Sequence, residues 1–396
     1  ARFVSLLREQ GVVTLALTPL SLILFGQASV VGLLANLVAI PWVTLVVTPL
    51  ALLGVPWAPL WALAGAALRP LAALLGTLAA WPWASVSLPA APWWLGVAAV
   101  AGGLLLALRW PPAWRLAGLP LVLALALWQP ARPAPGQFEL LAADVGQGSA
   151  VLVRTARHSL LYDAGPRYSL ESDAGHRVLV PLLRALGERV DTVVLSHRDS
   201  DHTGGARAVL AAQPQAELRA SIEDGHELQA LRPATRCQAG QRWQWDGVAF
   251  ELLHPDAADH ARPLKSNALS CVLRVRAVDG AAALLTGDIE QAQEQALVAR
   301  TPELRADVLL APHHGSRGSS STALLAAVRP RWVLVQAGYR NRFGHPAPEA
   351  LARYAAVGAE PVASPRCGAM QWHSQRPGAL HCQRDTAARY WHHRAP

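Results

Sequence analysis

The chain has 396 residues, a net charge of +8 and four cysteines, and its two ends differ in composition. Residues 11–138 contain no Asp, Glu, Lys or His, whereas all 14 His lie at or after His158. This pattern excludes a single uniform globular domain and predicts a membrane region followed by a soluble region. The positive charge comes almost wholly from Arg, and this surplus favours a polyanionic partner.

Five apolar stretches follow one another in the amino-terminal region, at 11–26, 30–53, 57–80, 92–108 and 116–128. The second is long enough to cross a bilayer, which takes about 20 apolar residues. Ten Trp lie near the ends of the stretches, as in interfacial aromatic belts. We therefore expect four or five spans in a transmembrane region of residues 1–128. Because the chain opens on Ala1 inside an apolar region without a signal-peptide pattern, we expect this region to be incomplete at its amino terminus.

The turn that carries Arg109 and Arg115 is predicted to be cytoplasmic by the positive-inside rule. One further span would then carry the soluble half to the outer side of the membrane. The Pro-rich stretch 129–137 (QPARPAPGQ) predicts a linker before a second domain at 138–396. The four Cys all lie in this second half and are compatible with two disulfides in an oxidising compartment or with four buried thiols.

Short apolar runs and helical patterns alternate after the linker. Strands are predicted at 138–143, 150–154, 159–162, 192–195, 248–253, 270–275, 282–285, 307–310 and 332–336. Helices are predicted at 176–187, 204–213, 289–300, 320–328 and 347–357. Strands first and helices interleaved indicate an α/β sandwich. Trp243 and Trp245 alternate on a further predicted strand with Val248 and Phe250, and we expect them to pack in the core rather than to stack on nucleic-acid bases.

The densest group of polar residues follows the strand at 192–195, in the stretch VVLSHRDSDHTGG (193–205). Its spacing H-x-D-x-D-H supplies four potential metal ligands within six residues, His197, Asp199, Asp201 and His202. A strand, a ligand-dense loop and a helix in this order place the ligands at the carboxyl edge of a sheet, where α/β proteins build their sites. The stretch predicts a metal site.

Four other strands also end in a carboxylate or an imidazole next to Gly. The residues concerned are Asp144, Asp163, Asp288, His313 and His314. Any one of them alone is a weak signal, because Gly-Asp after a strand is usually a turn. Five such strand ends together predict that the side chains converge at one edge of the sandwich.

These motifs resemble known families. The soluble half resembles the metallo-β-lactamase superfamily, whose signature is H-x-H-x-D-H with later Asp and His ligands. More narrowly, DVGQG (144–148), H-x-D-x-D-H, the late Gly-Asp and HHGS (313–316) resemble the ComEC competence proteins. The segment GQASVVGLLANLVAIPWVTLVVTPLALLG (26–54) resembles the end of their membrane domain. The resemblance implies an α-helical transmembrane region followed by a metallo-β-lactamase-like αββα sandwich, without that family's amino-terminal helices and OB-like domain.

The resemblance also implies ligands for one or two divalent ions. His197, Asp199 and Asp288 would hold one ion, and Asp201, His202, Asp288 and either His313 or His314 would hold the second. Asp199 stands where many members have His, so the harder oxygen ligand makes Mn²⁺ an alternative to Zn²⁺. No His stands where the third motif usually supplies one, because Asn267 and Ser270 occupy that region. Ser149 also replaces an acidic residue that is common after DVGQG.

Further roles are expected around these ligands. Asp201, Asp144 and His345 are candidate catalytic residues, and His345 would protonate the leaving group or bind phosphate. Asp163 would orient a His ligand or its loop. Candidate substrate-binding residues are Ser316, Arg317, Ser319, Arg340 and Arg342; a plain solvated loop is the alternative for the serine-rich stretch.

The function implied by the resemblance is uptake of single-stranded DNA during natural transformation. The chain would be a multi-pass channel component of the bacterial inner membrane, working with other DNA-uptake proteins and in an oligomer if one forms. Its metal-dependent nuclease domain, on the periplasmic or outer face, would degrade the strand that is not imported. The alternatives are a membrane-anchored metallohydrolase of another phosphodiester and a metal domain that binds DNA without cleaving it.

Overall fold

The apolar runs near the amino terminus fold as helices in the computed structural model, which describes residues 2–390 and, among these, side chains from residue 10 onward. These helices form the first of two compact units, which extends to Pro130 and also includes Arg184–Gly187. Its helices are α1 (Arg2–Phe25), α2 (Gly32–Trp42), α3 (Thr48–Leu53), α4 (Pro59–Ala79), α5 (Trp93–Ala107), α6 (Pro112–Leu116) and α7 (Gly118–Ala126). A π-helical segment, Val43–Val47, joins α2 to α3, and strands β1 (Gln27–Ser29) and β2 (Ser85–Ser87) pair antiparallel.

Two helical segments of this unit, Gly32–Leu53 and Pro59–Ala79, are long and apolar enough to cross a membrane. The segments Gln10–Phe25, Trp93–Ala107 and Pro112–Ala126 are apolar but shorter. Helices α5 and α7 cross closely, since a Cβ on Gly118 would lie 2.4 Å from the carbonyl oxygen of Gly102. Only glycine allows this approach of two backbones. The predicted number of spans stays a prediction.

The second unit begins at Ala131 and contains two large sheets. The first sheet has the order β10 (Ala234–Arg236), β9 (Glu217–Ala220), β8 (Thr192–Leu195), β5 (Ser159–Tyr162), β4 (Val151–Arg154), β3 (Glu139–Ala142), β18 (Met370–His373) and β19 (Leu380–Cys382). The second has the order β11 (Arg242–Trp245), β12 (Val248–His254), β13 (Val272–Arg276), β14 (Ala282–Leu285), β15 (Val308–Leu310), β16 (Trp332–Val335) and β17 (Glu360–Ala363). Strands β6 (Arg167–Ser169) and β7 (Ser172–Asp173) form a small separate hairpin.

Helices flank the two sheets. They are α8 (Val180–Leu186), α9 (Ser200–Thr203), α10 (Ala206–Ala212), α11 (Glu227–Leu231), α12 (Gln291–Arg300), α13 (Thr322–Val328), α14 (Pro348–Ala356), α15 (Ser364–Cys367) and α16 (Gln383–Thr386). A π-helical turn, Gly175–Leu179, precedes α8, and short 3-10 turns lie at Asp259–Ala261, Asn267–Leu269 and Pro312–Gly315.

Two apolar cores explain the layering. The central core lies between the sheets and includes Leu140, Tyr162, Phe250 and Leu285. Another core joins the second sheet to helices α12, α13 and α14. On the first sheet, alternate residues such as Val193 are absent from the central core but fully buried, so this sheet is covered on both faces. The predicted α/β sandwich is thereby confirmed, with Trp243 and Trp245 packed against the central core.

Disulfides connect the four cysteines of this unit in two pairs, Cys237–Cys271 and Cys367–Cys382. Cys271 immediately precedes β13, and its backbone N–H donates to the carbonyl of Ser196, at the end of β8. The first disulfide therefore lies directly behind the ligand-rich loop. Of the two alternatives left open by the sequence, the structure contains the two disulfides and no free thiol among residues 2–390.

Candidate metal centre

The parallel arrangement of neighbouring strands brings the predicted site together. β8 is parallel to β5, and β14, β15 and β16 are parallel to one another. Their carboxyl ends lead into the stretches that carry Asp163, His197 to His202, Asp288 and His313 to His314. Parallel strands present such ends at one edge of a sheet, so residues far apart in sequence meet there.

Four side chains form the tightest cluster, Asp201, His202, Asp288 and His314, whose ligand atoms all lie within 4.8 Å of one another. His202 Nε2 lies 3.2 Å from Asp288 Oδ1, and His314 Nε2 lies 3.3 Å from Asp201 Oδ2. His202, Asp288 and His314 are buried, while Asp201 is partly exposed at the opening of the cluster. Two imidazoles and two carboxylates form a donor set suited to a divalent ion.

Unsatisfied polar atoms are concentrated in this cluster. His202 Nε2, His314 Nε2 and Asp288 Oδ1 are buried and have no hydrogen-bond partner. The Nε2 atom of His197, beside them, is in the same state. Buried polar atoms are nearly always hydrogen-bonded, so several unpartnered ligand atoms within 4.8 Å of one another are typical of a metal-binding site. A metal ion would satisfy all three atoms of the cluster, so the residues present fit the expected cofactor.

The other predicted ligands lie around the cluster. The His197 and His202 rings have centroids 4.1 Å apart, and His197 Nε2 lies 3.6 Å from Asp199 Oδ2. Of the two consecutive imidazoles, His314 belongs to the cluster. His313 Nε2 lies 3.8 Å from Asp288 Oδ2, and its Nδ1 faces Glu290 at 3.1 Å. The structure thus brings all seven predicted ligand residues together, four of them in one tight group.

Hydrogen bonds behind the imidazoles set their orientation. His202 Nδ1 lies 2.8 Å from Asp163 Oδ2, and the N–H and hydroxyl of Ser196 also donate to Asp163. His314 Nδ1 donates to the carbonyl of Gln336 at 2.8 Å. Both contacts place the proton on Nδ1 and leave Nε2 to point into the cluster, which is how metal-binding imidazoles are usually held.

The electrostatics of the cluster follow from close opposite charges. Burial by itself raises the pKa of Asp288, but the imidazoles of His202 and His314 outweigh it and hold the pKa well below the usual value. Burial raises the pKa of Asp201 as well, and the contacts with His314 and His202 lower it to about 2. Both carboxylates are therefore ionised at neutral pH and ready to act as ligands.

The local backbone is built for close approach. His313 and His314 have φ angles of 46° and 55°, a left-handed conformation that is uncommon for residues with a side chain and that clusters at functional sites. A Cβ on Gly148 would lie 2.2 Å from the carbonyl oxygen of Asp201. The DVGQG loop can therefore contact the loop of residues 197–202 only because residue 148 is glycine. Ser149 N–H donates to the same carbonyl at 3.1 Å.

Two candidate catalytic residues lie apart from the four-residue cluster. His345 stacks on His314 with centroids 6.3 Å apart, and its ring lies 5.6 Å from that of His313. Burial, and then the charges of His314 and His313, lower the pKa of His345 to about 4. A neutral imidazole fits hydrogen bonding to a phosphate oxygen better than proton donation. Asp144 instead accepts from Arg384 at 3.1 Å, a contact over 240 residues of sequence.

The predicted substrate-binding serines differ in accessibility. Ser316 Oγ is buried and has no partner, whereas Arg317 is exposed and pairs with Glu349 at 3.0 Å. Ser319 is fully buried, and its hydroxyl donates to the carbonyl of Pro312 at 2.6 Å. This hydroxyl fixes the turn of the two imidazoles, and the predicted contact of Ser319 with a substrate stays a prediction. Arg340 and Arg342 are exposed on the loop that follows β16.

Several residues of the site were not singled out from the sequence. Ser196 donates to Asp163. Gln336, directly after β16, donates to the carbonyls of Ala143, directly after β3, and of Ala150, directly before β4. Ser270, noted only as a replacement for a missing His, accepts from the N–H of Asp288 at 3.0 Å. A single Ser or Gln in the sequence gives no local indication of a role in a site. Only knowledge of which strand ends lie side by side could have indicated these residues.

Comparisons with known proteins cover most of the chain. The family described as Competence protein matches residues 2–113, and the Metallo-beta-lactamase superfamily matches residues 143–336. Competence protein ComA of Neisseria gonorrhoeae is 37% identical over 377 residues, covering 94% of this chain and 52% of that protein. The uncharacterized protein YcaI of Escherichia coli K12 is 31% identical over 379 residues, covering 92% of this chain and 48% of that protein.

Two more distant similarities complete this picture. ComE operon protein 3 of Bacillus subtilis is 30% identical over 254 residues, covering 57% of this chain and 31% of that protein. The crystal structure of the metallo-beta-lactamase fold protein YhfI from the same species aligns with a TM-score of 0.40 at 15% identity, covering 60% of this chain and 99% of YhfI. The chain spans about half the length of ComA and YcaI.

Proposed function

Since the chain joins a competence protein domain to a domain with the metallo-β-lactamase fold, we propose that it takes up DNA and cleaves it at a divalent metal centre. The observation that carries this proposal is the cluster of Asp201, His202, Asp288 and His314, with three buried ligand atoms that lack a partner. We take residues 1–128 as the transmembrane region, 129–137 as the linker and 138–396 as the hydrolase domain. The strand that enters the cell would pass the membrane region while the other strand is degraded.

The chemistry follows from the donor set. Asp201, His202, Asp288 and His314 would hold the ion, which when bound neutralises phosphodiester charge and lowers the pKa of a water. His197, Asp199 and His313 stand close enough to the cluster to contribute to a second ion. Asp163 and the Gln336 carbonyl orient the imidazoles, and neutral His345 would donate a hydrogen bond to a phosphate oxygen. Ser316, Arg317, Arg340 and Arg342 are the candidate contacts to the rest of the nucleic acid.

Metal-dependent cleavage is the first test. The full chain in detergent is loaded with Mn²⁺ or Zn²⁺, its metal content is measured, and labelled single-stranded and plasmid DNA are offered. We expect cleavage in wild type and a loss of at least about 100-fold in His202→Ala, because that imidazole is both buried and central to the cluster. His381→Ala, an exposed imidazole on β19, is the matched control and should cleave normally.

The outcomes separate the alternatives. Cleavage that is unchanged in His202→Ala would rule out this cluster as the active centre. Metal uptake without cleavage would favour a DNA-binding metal domain. Cleavage of lipid or cell-wall phosphodiesters in place of DNA, together with normal DNA import in a deletion strain, would favour another metallohydrolase.

The two disulfides support placing the hydrolase domain on the outer, periplasmic side of the inner membrane, because disulfides persist in oxidising compartments. The apolar helices support a multi-pass membrane protein. A maleimide reagent applied to denatured protein from growing cells should label no thiol until a reductant is added. Four labelled thiols before reduction would place the domain in the cytoplasm.

A further inference from the structure

An aromatic–arginine loop, residues 338–345, connects β16 to α14 at the edge of the candidate metal centre. Its sequence alternates two aromatic residues with two arginines around one asparagine, Tyr339, Arg340, Asn341, Arg342 and Phe343. Phe343 is 52% exposed and Tyr339 is 42% exposed, whereas the large side chains of the cores are buried. Exposed aromatic rings at a catalytic edge contribute little to the fold and indicate a binding surface.

Each exposed ring is paired with a guanidinium. The Arg342 guanidinium lies 4.8 Å from the centre of the Phe343 ring, and that of Arg340 lies 5.2 Å from the Tyr339 ring. Among the ion pairs that the structure contains in residues 10–390, none involves Arg340 or Arg342, although Arg317 nearby pairs with Glu349. Rings with adjacent, uncompensated arginines are the combination that binds unpaired bases and their phosphates.

The loop is held in one shape by Asn341. Its side-chain amide donates to the carbonyls of Gly338 and His345 at 3.0 Å and 2.6 Å, and its side-chain oxygen accepts from the N–H of Phe343 and of His345. Gly338 N–H donates to the Gln147 side chain in the DVGQG loop at 3.1 Å. A surface fixed in this way loses little conformational entropy on binding a ligand.

Stacked rings connect this surface to the metal cluster. Phe343 stacks on His345 with centroids 5.6 Å apart and planes 23° apart, and His345 stacks on His314 with centroids 6.3 Å apart and planes at the same angle. One imidazole therefore separates the exposed Phe343 from a candidate metal ligand. A base stacked on Phe343 would bring the adjacent phosphodiester of its strand toward Asp201 and the cluster.

We propose that the aromatic–arginine loop binds unpaired bases of single-stranded DNA by stacking on Phe343 and Tyr339, with Arg340 and Arg342 at the phosphates. This inference rests on the proposed function and specifies its substrate as a single strand. In a duplex the faces of the bases are stacked on one another and are not accessible to an aromatic side chain. The loop would therefore select a strand that has already been separated from its complement.

DNA binding by the loop is measured under conditions without metal-dependent cleavage. The result therefore tests the loop proposal separately from the proposed nuclease activity. The full chain in detergent with a chelator is titrated against a labelled oligothymidine, and fluorescence anisotropy gives the Kd. Phe343→Ala should weaken binding by about 5-fold or more, which is the usual effect of losing one base–aromatic stack, and Phe343→Trp should preserve it. Both variants should bind a duplex DNA of the same length with the affinity of wild type.

The arginine contribution has its own matched control. Arg342→Ala should reduce the slope of log Kd against log salt concentration by about 0.7, the value for one phosphate contact on a single strand. Arg331→Ala removes an arginine that also lies over an aromatic ring, Trp332, but at the opposite end of β16. Its binding constant and salt slope should equal those of wild type.

An oligonucleotide with abasic sites identifies stacking as the cause. Wild type should bind the abasic strand at least as weakly as Phe343→Ala binds the intact oligonucleotide. On the abasic strand Phe343→Ala should bind no more weakly than wild type, because no base is left to stack on Phe343. Equal affinity of wild type for intact and abasic strands would overturn the proposal. It would also be overturned if Phe343→Ala weakened binding to anionic lipid vesicles but did not weaken binding to the oligonucleotide. Neither result would contradict the proposed metal-dependent cleavage, which is measured in a separate assay.

Discussion

Along residues 10–130 the side chains of leucine, valine and tryptophan are exposed on most turns of the helices, whereas in residues 131–390 the same residue types lie between layers. Leu45, Val55 and Trp93 in the first unit are each more than 70% exposed. Leu140, Leu285 and Leu325 in the second are fully buried. Large apolar side chains exposed in this number are unfavourable in water and favourable in contact with lipid.

Charged residues show the reverse distribution. Residues 11–130 contain only Arg69, Arg109 and Arg115, and none of the three has an acidic partner in that stretch, which has no acid. In the second unit Glu139, Arg154 and Glu188 are buried together. The comparison shows that the two units differ in how they treat charge: residues 11–130 contain no acid and few arginines, whereas the second unit buries Glu139, Arg154 and Glu188 as one paired group.

The largest expected effect comes from breaking that buried group. Glu188 accepts from Arg154 at 2.7 Å and from Arg132 at 2.9 Å, and only 1% of its side chain is exposed. Glu188→Gln removes one of the two carboxylates that compensate Arg132 and Arg154, since Glu139 pairs with Arg154 alone, and should destabilise the second unit by about 3 to 5 kcal/mol. Pulse proteolysis of the full chain in urea, with fragments of residues 131–390 followed, measures this change.

Glu217→Gln is the control for that variant. Glu217 lies 3.6 Å from Arg219 but is 71% exposed, so its loss should change stability by about 0 to 1 kcal/mol. Equal effects of the two substitutions would show that the buried network contributes no more than a surface pair. The distinction between the two units would then rest on apolar residues alone.

Many of the buried strands of the second unit were predictable because they are short, mostly apolar runs. The predicted strands at 159–162 and 192–195 coincide with β5 and β8. Strands β9, β10 and β17 were not predicted, since Glu217–Ala220 mixes exposed charges with buried residues and Glu360–Ala363 contains Pro. Their pairing is decided by neighbouring strands, which a local pattern does not record.

The candidate centre was predictable to the level of the strand ends that meet. The sequence left His313 and His314 equivalent, and the choice between them depends on two successive left-handed residues that turn His314 inward. The pairing of Asp144 with Arg384, and the use of Ser319 inside the turn, depend on tertiary contacts. Such contacts join distant parts of the chain and leave no periodic signal in it.

A smaller effect, confined to the first unit, would sharpen the comparison. Leu45 is 74% exposed within the segment Gly32–Leu53, and Leu170 is 87% exposed in the second unit. If lipid surrounds the first unit, Leu45→Arg should disfavour insertion by about 2.5 to 3.5 kcal/mol. The measured result would be a loss of the protein from the carbonate-resistant membrane fraction.

The control is Leu170→Arg, which places the same charge in water. It should leave the membrane fractionation unchanged and alter the free energy of unfolding by no more than about 0.5 kcal/mol. Because both leucines are exposed, only the surrounding solvent distinguishes the two substitutions, and equal behaviour would mean that water contacts both units.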